Sequence, residues 1–194
     1  MVSMFFKKKL LAFALLSSIA QAACAQGIDK IKTAGDGTRT LTTTQVRFAK
    51  SGGLFGKSRH LAMCHITQAN GQQTWAIVMP INSRDRHIIG IGRKMALHLQ
   101  DGTSIVLQNI NNIGRAENQE EFDRTYTILP TYAVNEEQLD ELSQQQVISI
   151  ALETDEGAIT IDNRDFRREW SFSRMLQRCY NVLKWKLAEF GNAN

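Results

Sequence analysis

Residues 51–58 read SGGLFGKS, a run of glycines followed by Lys57 and Ser58. These are the residue types with which a nucleotide-binding loop cradles phosphate. That motif needs a further glycine five positions before Gly56, and the position is held by Ser51. The loop must also open a helix whose N-terminal amides hold the phosphates. Here it runs into RHLAMCHITQ, which has a strand pattern. The segment is therefore expected to be a hairpin connection that binds no nucleotide. Leu54 and Phe55, two apolar residues amid the glycines, are candidates for touching a partner unless they fold back onto the sheet.

Cys64 and His65 are adjacent, which suggests a thiol–imidazole catalytic pair. On a strand, neighbouring side chains point to opposite faces. Cys64 then goes with Ala62 and Ile66, and His65 with Leu61 and Met63, so the two do not form a dyad. His60, His65, His87 and His98 show no H-x-x-x-H or H-E-x-x-H spacing, and Cys64 lies far from Cys179, so zinc ligation has no sequence support. The acidic pairs Glu120-Glu121 and Glu136-Glu137 fit a solvated loop and the first turn of a helix. No G-x-S-x-G elbow is present. No catalytic residue, metal or cofactor is expected.

The elements that carry these residues are mostly short strands. RTLTTTQVRFAK is rich in Thr, Val and Phe, which suit a pleated surface. RHLAMCHITQ and TWAIVMPI are joined across Asn70-Gly71, and KMALHLQ and SIVLQNI across Asp101-Gly102, both dipeptides that tolerate hairpin turns. Met95, Leu97 and Leu99 share one face. RTYTILPTYAV reads as a strand that Pro130 sends to an edge or into a bulge. NEEQLDELSQQ reads as a short helix with Asn135 as N-cap and Gln138 three residues on. QVISIALET and GAITIDN form a last hairpin, with Ile148, Ile150 and Leu152 on one face. A long helix is expected from Arg164 to Phe190, with Phe172, Leu176, Cys179, Tyr180, Leu183, Leu187 and Phe190 in one apolar stripe. The fold class is α+β: a mainly antiparallel sheet of about eight strands, with the short helix and the long C-terminal helix packed on one face.

The N-terminus places Lys7, Lys8 and Lys9 before an apolar run, followed by Ala20-Gln21-Ala22 and Ala23-Cys24-Ala25. This is the three-part pattern of a secretory signal peptide. The run is too short for a spanning helix of about 20 residues. The expected organisation is a signal peptide over residues 1–25, a tether over 26–38 and a single domain over 39–194, with no transmembrane segment after cleavage. Gln21 disfavours lipid attachment at Cys24, which remains the minority reading. Of the 23 Lys+Arg residues three lie in the leader, leaving 20 against 19 Asp+Glu, so the basic precursor gives no case for nucleic-acid binding. Outside the cytosol a bridge between Cys64 and Cys179 is permitted. Two buried free thiols are the equal alternative.

One surface stands out. A helical count puts Arg167, Arg174, Arg178, Asn181 and Trp185 opposite the apolar stripe. A basic face with one tryptophan suits an anionic envelope component or an acidic protein. The bland counterpart is a solvated face whose arginines pair with acidic neighbours.

The hairpin KMALHLQDGTSIVLQNI and the segment YAVNEEQLDELSQQQVISIALETDEGAITI together resemble the layout of small, uncharacterised exported proteins of Bacteroidetes, over residues 90 to 162. The resemblance implies a β-rich secreted or envelope domain and carries over no catalytic residue. The leading expectation is an exported, non-catalytic binding domain, periplasmic or secreted. An envelope enzyme with a site assembled from scattered His, Asp and Cys residues is one alternative. A structural protomer joined through strand edges is the other.

Overall fold

The structure is a computed structural model describing residues 27–53, 56–83, 88–111, 116–120, 123–168 and 170–191. Its strands are β1 (Ile28–Thr33), β2 (Arg39–Thr43), β3 (Val46–Gly53), β4 (Gly56–Ala69), β5 (Gln72–Val78), β6 (Ile81–Ser83), β7 (Lys94–Leu99), β8 (Ser104–Gln108), β9 (Ala116–Glu120), β10 (Asp123–Ile128), β11 (Thr131–Val134), β12 (Val147–Thr154) and β13 (Gly157–Asp162). The helices are α1 (Glu136–Gln144) and α2 (Ser171–Gly191), with a 3₁₀ turn at Asn163–Asp165. The α+β reading holds: every strand pairing is antiparallel, and the long C-terminal helix covers one side of the β2–β4 region. Short strands such as β1, β6 and β9 raise the count above the expected eight.

One sheet runs β1-β2-β4-β5-β11, a second β13-β12-β7-β8 and a third β6-β10-β9. β4 is long enough to pair with two partners on one side, with β3 through Gly56–Ala62 and with β2 through His65–Gln68. An isolated bridge between Asn109 and Tyr132 joins the end of β8 to β11, and another between Ala49 and Phe166 joins β3 to the chain just after β13. Through these two bridges the backbone path β3-β4-β5-β11-β8-β7-β12-β13 comes back to β3, while β1 stays an outer strand.

Local chemistry explains most elements. Asn135 caps α1 by accepting from the Gln138 amide at 2.7 Å, while the Gln138 side chain accepts from the Asn135 amide at 3.0 Å. Gly102 adopts φ +88, and Asp101 accepts from the Thr103 amide, closing the β7–β8 turn. Asn109 is fully buried and ties three segments together. Its Nδ2 donates to the carbonyls of Ile89, Gly90 and Asn111, and its Oδ1 accepts from the Thr131 amide at 2.8 Å.

Four expectations need correction. Residues 28–33, assigned to a tether, form β1 against β2. The AGDGT stretch is a hairpin turn, with Asp36 accepting from the Thr38 amide and Gly37 at φ +84, and it folds the chain back onto β2. The long helix starts at Ser171, not at Arg164. The segment before it is tied to β3 instead: the Arg167 amide and the Ser171 hydroxyl both donate to the Phe48 carbonyl, at 3.0 and 2.7 Å. At 21 residues the helix spans about 30 Å. In β12 a register shift between Val147 and Ser149 buries Val147 and leaves Ile148 half-exposed, so Ile148 does not share the buried face of Ile150 and Leu152. Lastly, Cys64 and Cys179 are buried thiols with no disulfide between them.

The core confirms the apolar stripe. Phe172, Leu176, Cys179 and Leu183 are fully buried, and Tyr180, Leu187 and Phe190 pack at its margin. Phe48 anchors the start of α2, with its ring edge-on to Phe172 at 4.8 Å and to Phe166 at 5.9 Å. Such pairs add about 0.5–1.5 kcal/mol to what their burial contributes.

Candidate functional site

The first cluster to weigh lies under α2. Where β4 changes partner from β2 to β3, Met63 and Cys64 lie between the two ladders. Thr43, the last residue of β2 and fully buried, fills that gap: its Oγ1 accepts from the Cys64 amide at 3.0 Å. The same oxygen lies 3.5 Å from Cys179 Sγ, which donates toward Met175 Sδ at 3.5 Å. The neighbouring Cys179 sulfur, together with burial, pushes the Cys64 thiol well above its usual range. A sealed, protonated thiol is a poor nucleophile. Cys64 and its neighbour His65 do sit on opposite faces, the one buried and the other half-buried.

The second is the outer face of α2. Arg174, Arg178, Asn181 and Trp185 follow at helical spacing and are all exposed, Trp185 to 62%. Arg167 is exposed as well, but it precedes the helix and so joins this face only as an extension beyond its N-terminus. Among the described residues, no ion pair engages Arg167, Arg174 or Arg178. The lysines of the same helix behave differently. Lys184 Nζ lies 2.6 Å from Glu136 Oε1 of α1, and Lys186 pairs with Glu189. Tyr180 OH also donates to Glu136, and these contacts hold the Glu136 carboxyl below the usual carboxylate range. Lys184 ties α2 to α1 and Lys186 is paired within α2, whereas the arginines face solvent.

The histidines do not converge. Burial lowers both the His60 and the His65 imidazoles, with the Asp165 charge partly restoring His60, while His98 hydrogen-bonds Ser104 on the exposed side of the β7–β8 hairpin. Among the described residues, no group of three or more His, Cys, Asp or Glu side chains is arranged to hold a metal ion. No helix among them is long and apolar enough to cross a membrane. The leader, Cys24, Leu54, Phe55 and His87 lie outside the described residues. No family model, curated protein or solved structure matches this chain. What it can bind therefore rests on its own geometry.

Sequence reasoning missed a third feature, a cleft of about 430 Å³ at the C-terminal end of α2. It is floored by Arg39, Gln68 and Gln73 and bordered by Asn70, with Leu187 and Phe190 of α2 along the other side. Periodicity alone marks Leu187 and Phe190 only as the tail of the apolar stripe. The missing signal was strand order, since nothing in the chain joins Arg39 to Gln73 until β2, β4 and β5 are known to be neighbours.

Proposed function

We propose that this chain is an exported, non-catalytic binding domain of a bacterial cell envelope, and that the outer face of α2 docks an anionic component of that envelope. The observation that carries the reading is the row Arg174, Arg178 and Trp185, exposed and without acidic partners among the described residues, on a helix whose lysines are paired. An unpaired guanidinium offers a planar fork of donors that suits phosphate or carboxylate groups. An exposed tryptophan beside it adds a large apolar surface that also suits an interfacial position. The leader pattern supports the compartment.

Association through strand edges is less favoured. The outer strand β1 carries Asp29, Lys30 and Lys32, exposed charges of the sort that oppose addition of a further strand.

The test is co-sedimentation of the mature protein with vesicles rich in phosphatidylglycerol, with zwitterionic vesicles, and retention on an immobilised acidic polysaccharide. Each arginine near an anionic surface contributes about 1 kcal/mol. Removing two with R174A/R178A should weaken binding by about 30-fold, and rising salt should weaken it further. Binding to vesicles alone identifies a lipid headgroup, and retention on the polysaccharide alone identifies a glycan. Absence of binding to every anionic surface at low salt refutes the reading.

A further inference from the structure

The register of the first sheet aligns residues that the chain keeps apart. Leu41 of β2 faces Ile66 of β4, which faces Trp75 of β5, and all three are buried beneath α2. Two residues further along each strand, on the same face, Arg39 is opposite Gln68 and Gln68 opposite Gln73. Directly opposed side chains on one face stand about 4.5–5.5 Å apart. The apolar row is thus followed by a polar row of one guanidinium and two amides, at the point where the helix above is ending. Leu187 and Phe190 overhang this row, and Asn70, at φ 51 in the β4–β5 turn, stands at its rim.

Each part of this row has unused bonding capacity. The Arg39 guanidinium carbon lies 4.4 Å from the centre of the Phe190 ring, a cation–π contact that holds the group in place without using its N–H donors. It has no acidic partner among the described residues, and the Gln68, Asn70 and Gln73 side chains have no hydrogen-bond partner among them. A primary amide both donates and accepts, which matches a hydroxyl group in either sense. A fixed guanidinium matches a carboxylate through two parallel bonds. Leu187 and the margin of Phe190 offer a carbon surface to the apolar face of a ring. The volume lies within the usual range of small-molecule clefts, about 300–1,000 Å³.

We propose that this cleft is a binding site for a sugar acid, with Arg39 on the carboxylate, Gln68, Asn70 and Gln73 on the hydroxyls, and Leu187 and Phe190 against the ring. The site is separate from the outer face of α2 and does not depend on that face having a partner.

The experiment is a titration of the ¹⁵N-labelled mature protein with galacturonic acid and its disaccharide, followed by amide shifts, with galactose and acetate as controls. The expected result is saturable shifts at residues 37–39 and 68–73 with the uronates, and at least tenfold weaker binding of galactose and of acetate. Arg39→Met keeps an unbranched stem against Phe190 and removes the charge, and it should weaken uronate binding by at least tenfold. Gln73→Ala, at an exposed position, should weaken it without affecting folding. Trp185→Ala, on the other side of the helix, should leave it unchanged even if it abolishes docking to anionic surfaces. Equal binding of galactose overturns the carboxylate assignment, and equal binding of acetate overturns the sugar. Absence of shifts at these residues, or an unaltered affinity in Arg39→Met, overturns the site.

Discussion

Thr43→Val replaces one hydroxyl by a methyl of nearly the same size in a fully buried position, and so isolates the bond that fills the gap in the β4 ladder. In the wild type the Cys64 amide donates to Thr43 Oγ1 at 3.0 Å. No strand carbonyl stands in for it, since the register passes from Thr42–His65 on β2 to Val46–Ala62 on β3 with Cys64 between. A buried donor left without a partner costs about 1–3 kcal/mol. The added methyl returns about 0.8 kcal/mol through burial, so a net loss of about 0.2–2.2 kcal/mol is expected. For a chain of this size each kcal/mol shifts Tm by about 2–4 °C, giving a fall of up to about 9 °C with an unchanged urea m-value. Hydrogen exchange supplies the local readout: the Cys64 amide should exchange faster in Thr43→Val. Thr43→Ser loses a methyl but keeps the acceptor, so it should retain the protection of that amide. A Thr43→Val protein as stable as wild type, with Cys64 equally protected, would refute the account of how β4 switches partners.

Three shorter predictions concern other buried groups. The Tyr132 hydroxyl is buried without a partner among the described residues, and burial, reinforced by the Glu153 charge, raises its pKa. Tyr132→Phe should therefore hold or raise stability, by up to about 1 kcal/mol in urea denaturation, and a loss of more than that would reveal a partner for the hydroxyl. Cys64 and Cys179 should be alkylated only through opening; with about 10⁻³ of chains open or fewer, labelling in native protein should be at least about a thousandfold slower than in urea. Both should label in unreduced, unfolded protein, and mass spectrometry showing neither labelled would establish a bridge instead. His60 and His65 have imidazole pKa values lowered by burial, so between pH 7.5 and 5.5 the unfolded chain binds more protons than the folded one. Their contribution is complete above the ordinary histidine value of about 6.5 and is lost as the pH falls through the lowered folded values. Stability by urea denaturation should drop over that window, His65→Gln should flatten the drop, and a flat wild-type profile would contradict it.

The parts of this fold that were legible in the chain are those whose signal is local. Asp101-Gly102 and Asn70-Gly71 declare their turns because few other residues tolerate the backbone angles there. Asn135 and Gln138 declare the start of α1 because each satisfies the other's backbone amide. The stripe from Phe172 to Phe190 declares α2 through its period. The misread parts are those that a partner decides. Arg164–Trp170 contains good helix formers, yet the Phe48 carbonyl draws the Arg167 amide and the Ser171 hydroxyl to itself and delays the helix. IDKIKT alternates too weakly to read as a strand and becomes one because β2 offers it an edge. Val147 displaces Ile148 from the core through a register shift that no periodicity encodes.

The same distinction separates the two candidate binding surfaces. The outer face of α2 lies on one helix, so its arginines can be grouped by counting along the chain. The structure adds only which charges are already used: Lys184 reaches Glu136 across the α1–α2 contact, and Lys186 reaches Glu189 within one turn. That contrast decides how the surface should respond to mutation. Neutralising Lys184 removes an exposed tie between helices, so its effect belongs to stability and is small. Neutralising Arg174 or Arg178 breaks no ion pair among the described residues, so a loss of docking there belongs to binding. The cleft obeys the opposite logic. Its cation and amides come from three strands and matter only as a row, so no single residue announces it. Arg39 there is both a stacking partner of Phe190 and a free fork of donors, which is why the methionine substitution, keeping the stem and losing the fork, separates packing from recognition.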